Sequence, residues 1–167
     1  LYPGKREALA ELACLAVHAE YRNEGRGDAL LQAIEHRALK NGIHRLVVLT
    51  GGEPLLQVDT ALIDALHSQQ FRIAVESNGT VKAPEGIDWL CISPKAGAPF
   101  VQRSGQELKL VWPQPGFDLP TLEQGTDFAQ RYLQPMDGPL QRQNTALCID
   151  TCMRHPAWRL SLQTHKL

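Results

Sequence analysis

Short runs of apolar and β-branched residues recur along the chain at 45–50, 71–77, 87–93, 107–112, 128–134 and 158–163, and nearly every one ends in a polar or glycine-containing motif. Runs of this length, bounded by turn residues, read as buried strands. A further run at 12–17 precedes a helical pattern that puts Leu30, Leu31, Ile34 and Ala38 on one face and stops at Asn41-Gly42. With the strand at 45–50 this makes an N-terminal βαβ unit. Asp59 is expected to cap a helix through Leu62, Ile63 and Leu66. Asn144 is expected to cap one that runs to Arg154 before Pro156, with only a short turn at 119–123 between the fourth and fifth of the six runs. Apolar strands joined by few helices predict an α/β fold with a parallel sheet, and too few helices for an eightfold barrel predict an incomplete barrel. In such sheets ligands gather beyond the C-terminal strand ends, where the unusual motifs of this chain lie.

Composition narrows the function classes. Seventeen basic side chains against 18 acidic ones, scattered along 167 residues, leave no basic footprint for nucleic acid. No apolar stretch has the length of a membrane span and the opening residues lack a secretory core, so a cytoplasmic location is expected. The chain opens on Leu1 and closes on Leu167, and both ends are expected to be truncations of something longer. Its 43% hydrophobic content is enough for one compact domain. Cys14, Cys91, Cys148 and Cys152 match neither a zinc ribbon nor a redox pair. Cys14 and Cys91 lie in apolar runs, while Cys148 and Cys152 fall one turn apart on the expected buried stripe of a helix beside Leu147. All four are expected to be reduced structural thiols.

The motifs after the strand ends are Thr50-Gly51-Gly52-Glu53-Pro54, Glu76-Ser77-Asn78-Gly79-Thr80, Ser93-Pro94-Lys95, Gln134-Pro135-Met136-Asp137-Gly138 and Gln163-Thr164-His165-Lys166, with Lys109 inside a strand. Each alone has a plain reading as a turn or a solvated charge. In this order, over residues 50–167, they resemble the 7-carboxy-7-deazaguanine synthase family of radical S-adenosylmethionine (SAM) enzymes. That family's fold is an incomplete barrel with few helices. Its reaction is a ring contraction of 6-carboxy-5,6,7,8-tetrahydropterin on the way to queuosine. The resemblance implies that Gly51, Gly52 and Glu53 meet the amino group of SAM, with Thr50 nearby, and that Glu76 accepts hydrogen bonds from the ribose hydroxyls. Ser93, Lys95 and Gln134 would complete that pocket. His165, Asn78 and Lys109 would face the pterin. A homodimer is also implied.

The same resemblance implies a [4Fe-4S] cluster on three cysteines and a magnesium contact, both from a loop before the Gly-Gly-Glu strand. No cysteine lies between Cys14 and Thr50, so those ligands are absent and the chain is expected to be inactive by itself. Residues 11–31 instead resemble the acetyl-CoA motif of GNAT-type N-acetyltransferases, nearest to N-acetylglutamate synthase. There Arg22, Gly25, Arg26 and Gly27 would place helix N-terminal amides against the coenzyme A pyrophosphate. Two segments follow, 1–50 and 51–167, joined near Val48 to Thr50. Two further readings stand beside the first: a coenzyme A-binding acetyltransferase fragment, and a non-catalytic domain that keeps a residual SAM pocket.

Overall fold

The computed structural model describes residues 46–162. Its strands are β1 (Leu46–Leu49), β2 (Arg72–Ser77), β3 (Trp89–Ile92), β4 (Ser104–Trp112), β5 (Asp127–Pro135) and β6 (Arg159–Leu160). Helix α1 (Thr60–Ser68) follows β1, α2 (Leu119–Gly125) follows β4 and α3 (Gln141–Arg154) follows β5. The strand order is β1-β2-β3-β4-β5-β6 and every pairing with a described register is parallel. The expected α/β fold with parallel strands and few helices is therefore present; the N-terminal strand and helix of the expected βαβ unit lie outside the described residues. Among the described residues no helix is long and apolar enough to cross a membrane.

Backbone contacts divide the chain into two compact units, and the division falls within β2. The first comprises, among described residues, 46–75 and 84–88. Val47 and Leu49 of β1 are in register with Ile73 and Val75 of β2, and all four are buried with Ile63 and Leu66 of α1. Asp59 caps α1 as expected, its Oδ1 accepting the Leu62 N–H at 2.8 Å. The Asp88 carboxylate closes the unit's excursion by accepting the Ile73 N–H at 2.7 Å and meeting His67 Nε2 at 3.1 Å. The Ile73 hydrogen bond, aided by His67 and Arg72 and opposed by burial, holds the Asp88 pKa below the usual aspartate value. A depressed carboxylate stabilises the fold above its unfolded-state pKa, near ~4. That contribution is lost as pH falls through the lower folded value. In Asp88→Asn, chemical denaturation should show a stability deficit at neutral pH that vanishes at strongly acidic pH.

The second unit comprises, among described residues, 76–83 and 89–162. Its longest strands, β4 and β5, pair along their whole length from Ser104↔Asp127 to Trp112↔Pro135. Leu108 and Leu110 of β4, Leu133 of β5 and Ile92 of β3 are completely buried on one face. Each contributes roughly 1.5–3 kcal/mol relative to an exposed side chain. By strand alternation Cys91, Glu107, Lys109, Gln130, Tyr132 and Gln134 share the opposite face. Asp118 caps α2 through the Thr121 N–H and hydroxyl, so the expected turn at 119–123 is a short helix. Trp158 is buried before β6 and donates its indole N–H to Glu123 of α2 at 2.7 Å.

Helix α3 departs from expectation at two points. Its N-cap is Leu140, without a side-chain cap bond, and Asn144 lies inside the helix. The Asn144 backbone N–H makes a helical bond to the Leu140 carbonyl, and its side-chain amide donates to the Met136 carbonyl instead of accepting at a helix start. Leu147 does not share the buried stripe: Cys148 and Thr151 are buried, Cys152 is half-buried, and Leu147, Ile149 and Met153 are exposed.

Candidate functional site

In the first unit, Thr50 follows β1 directly, and Gly51 and Gly52 have φ of 86° and 59°. These left-handed conformations explain both glycines, and a Cβ at Gly52 would meet nothing, so backbone angle and not crowding sets the residue type there. Glu53 caps the 3₁₀ turn Pro54–Leu56, its Oε1 accepting the Leu55 N–H at 3.0 Å. The motif thus builds a tight turn that exposes both glycines.

In the second unit, the end of β2 and the start of the loop after β3 are tied by the Ser93 N–H donating to the Ser77 carbonyl at 2.7 Å. Ser93 is buried, and its hydroxyl accepts from the Lys95 ammonium at 2.9 Å. Ser77 is buried too and accepts the Gly79 N–H through its hydroxyl, while Asn78 Oδ1 accepts the Thr80 N–H at 2.9 Å. These two short-range bonds shape the turn after Glu76. Ser77 is a structural support of this turn that the residue pattern did not single out; a hydroxyl two residues before a glycine was the available signal.

Glu76 and Lys109 form an ion pair of 2.7 Å between Oε1 and Nζ, with the lysine side chain 17% exposed and the glutamate 40%. Since β3 lies between β2 and β4, the pair crosses β3 on the face that carries Cys91. Burial alone would lower the Lys109 pKa. The hydrogen bond to Glu76 and the acidic neighbours Cys91, Glu76 and Glu107 more than offset this and raise it. Lys109 is therefore a fixed ammonium at neutral pH. Burial pushes the Cys91 thiol far above its usual value, with the glutamates adding to the effect. Gln134, in register with Val111, lies near the C-terminal end of β5 on the same face as Tyr132.

Glu76, Ser93, Lys95, Lys109 and Gln134 thus belong to one unit, and two pairs, Glu76 with Lys109 and Ser93 with Lys95, are in direct contact. Asn78 is engaged in its own turn. His165, Arg22, Gly25, Arg26 and Gly27 lie outside the described residues. A cavity of about 250 Å³ in the same unit is walled by Phe100, Phe117, Arg103 and Thr121, with Lys95 the single predicted site residue among those lining it. Its aromatic wall is an edge-on Phe100–Phe117 contact with the Arg103 guanidinium 5.1 Å from the Phe100 ring centre. The cavity is separate from the Glu76–Lys109 pair, and the hydrogen-bonded charges, not the void, mark the candidate site.

Among the described residues, the cysteines are not grouped to hold an iron–sulfur cluster. Cys91 is buried in mid-strand, and Cys148 and Cys152 sit one turn apart on α3. Burial pushes Cys148 up to about 12 and raises Cys152 as well. Among the described residues no three His, Cys, Asp or Glu side chains are grouped to hold a metal ion.

The chain is 48% identical to a 7-carboxy-7-deazaguanine synthase of Caulobacter vibrioides, in a match that covers 99% of this chain and 82% of that protein. The chain belongs to the 7-carboxy-7-deazaguanine synthase family. The synthase of Bradyrhizobium diazoefficiens is 61% identical over 123 residues, which are 74% of this chain and 58% of that one, so the chain matches little more than half of this relative's length. The crystal structure of QueE from Escherichia coli has the same fold, with a TM-score of 0.60 and 26% identity over 80% of this chain and 61% of that one. Residues 1–57 also match the acetyltransferase (GNAT) family model, as the pattern around Arg22 to Gly27 implied.

Proposed function

We propose that this chain is a SAM-binding 7-carboxy-7-deazaguanine synthase-type protein of queuosine biosynthesis that does not carry out the ring contraction by itself. The observation that carries the reading is the Glu76 carboxylate, held at the end of β2 by Lys109 with acceptor sites to spare, where a ribose diol needs an acceptor. Gly51, Gly52 and Glu53, with Thr50, would receive the methionine amino group, and Ser93, Lys95 and Gln134 would line the rest of the pocket. Asn78, Lys109 and His165 would serve the pterin. In enzymes of this type that hold the cluster, the cluster and SAM supply the radical chemistry and magnesium assists the substrate. Here the thiols for a cluster are wanting, so binding and orientation are the functions left to these residues.

The reading extends to partners and place. A second copy of the chain is the natural cover for the exposed Leu147, Ile149 and Met153 of α3, and a cytoplasmic setting suits reduced cysteines. The match of residues 1–57 to acetyltransferases favours a second reading, a coenzyme A-binding segment around Arg22, Gly25, Arg26 and Gly27. Calorimetric titration of one sample with SAM and with acetyl-CoA separates the two. Saturable SAM binding that weakens about tenfold or more in Glu76→Gln is expected, since hydrogen bonds to a charged group carry that much. Binding of acetyl-CoA with no response to SAM would favour the second reading and remove the first.

A further inference from the structure

The Glu76–Lys109 pair is poorly placed to be a stability device, because an ion pair with one partner 40% exposed contributes little to folding. It is well placed to restrict a rotamer. Neighbouring strands are about 4.8 Å apart, so residues two strands away are beyond reach unless both side chains extend toward each other. Lys109 and Glu76 do so across β3, on the face that carries Cys91. The contact engages Oε1 of Glu76. A carboxylate has about four acceptor sites on its two oxygens, so the remaining ones stay open to a ligand.

Resting on the SAM reading above, we infer that Lys109 is a positioning residue for the nucleoside: its ammonium anchors one oxygen of Glu76 so that the other is presented, already oriented, to a ribose diol. Lys109 acts on the nucleoside only through Glu76. Its raised pKa keeps the anchor charged throughout the neutral range. Without the anchor the glutamate must be ordered by the ligand itself, and that ordering reduces affinity for the diol specifically.

The test compares adenosine with 2′,3′-dideoxyadenosine, both neutral, by calorimetry or ligand-observed NMR on the full chain. The wild-type protein is expected to favour adenosine by about tenfold or more, the range for hydrogen bonds to a charged group. In Lys109→Met this preference should fall to roughly threefold or less while dideoxyadenosine affinity stays unchanged, and Lys109→Arg should restore most of it. A purely structural role would weaken both nucleosides alike. Should Lys109→Met not fold, Lys109→Gln, which keeps a polar side chain but no charge, gives the same comparison and should likewise shrink the preference. Equal preference in wild type and in Lys109→Met or Lys109→Gln overturns the positioning role alone. No preference in the wild type overturns it together with the SAM reading.

Discussion

Reconstitution of the purified chain with iron and sulfide is expected to yield no stoichiometric four-iron cluster and no cleavage of SAM. A cluster needs several thiolates converging on one point. Cys91 lies in β3 with its thiol pKa raised by burial, and Cys148 is buried within α3, its thiol pushed up to about 12. Neither is an available thiolate at neutral pH. Cys152 is one turn from Cys148 on the same helix, and helical geometry lets at most two such residues face one ion. Cys14 adds one thiol, not three. The decisive measurement is the charge-transfer absorbance near 400 nm per chain, followed by chromatography for 5′-deoxyadenosine. A stoichiometric signal in both would show that cysteines from separate elements rearrange, and the non-catalytic part of the proposal would be withdrawn.

Gly79→Ala is expected to lower stability by about 2–5 kcal/mol, combining roughly 1–2 for an L-residue in the left-handed region with roughly 1–3 for overpacking. Gly79 has φ of 77°, and a Cβ there would stand 2.7 Å from Ile92 Cγ2 and 3.4 Å from the Phe100 ring. Ile92 is completely buried and its branched methyl has no flexible stem with which to withdraw. The Gly79 carbonyl also accepts the N–H groups of Val101 and Gln102, so the turn cannot shift without breaking backbone bonds. Urea denaturation monitored by tryptophan fluorescence would measure the loss, and a change within about 0.5 kcal/mol would show that this turn is softer than its contacts imply. Since ordinary domains have only about 5–15 kcal/mol in total, the variant should be marginal at physiological temperature.

Much of the fold was legible because strands buried on a face announce themselves. The run at 71–77 became Arg72–Ser77 and that at 128–134 became Asp127–Pro135, with ends off by a residue. The strand predicted at 107–112 begins earlier, at Ser104, because Ser104, Gly105 and Gln106 lack the apolar signal yet pair in register with β5 or brace β3. Gln106 Oε1, for instance, accepts the Leu90 N–H at 2.7 Å. The last run, read as 158–163, forms among the described residues a strand of Arg159 and Leu160. Asn144 misled because a side chain that accepts at one helix start donates equally well from within another helix. At the candidate site, residue types at strand ends singled out Glu76, Ser93 and Lys95 as candidates, but could not say which side chains pair with which. The Glu76–Lys109 pair joins residues 33 positions apart through an intervening strand, and no local spacing encodes that partnership.

The alternation along β4 leaves the chain no tolerance for slippage. Leu108 and Leu110 enter the interior while Glu107 and Lys109 face away from it. An insertion or deletion of one residue in the segment between β3 and β4 that displaced the strand by one position would turn two charges inward and two leucines outward. Length changes in that connection should therefore survive only where the loop itself absorbs them. The charges on the outer face of β4 thus guard the strand against misthreading.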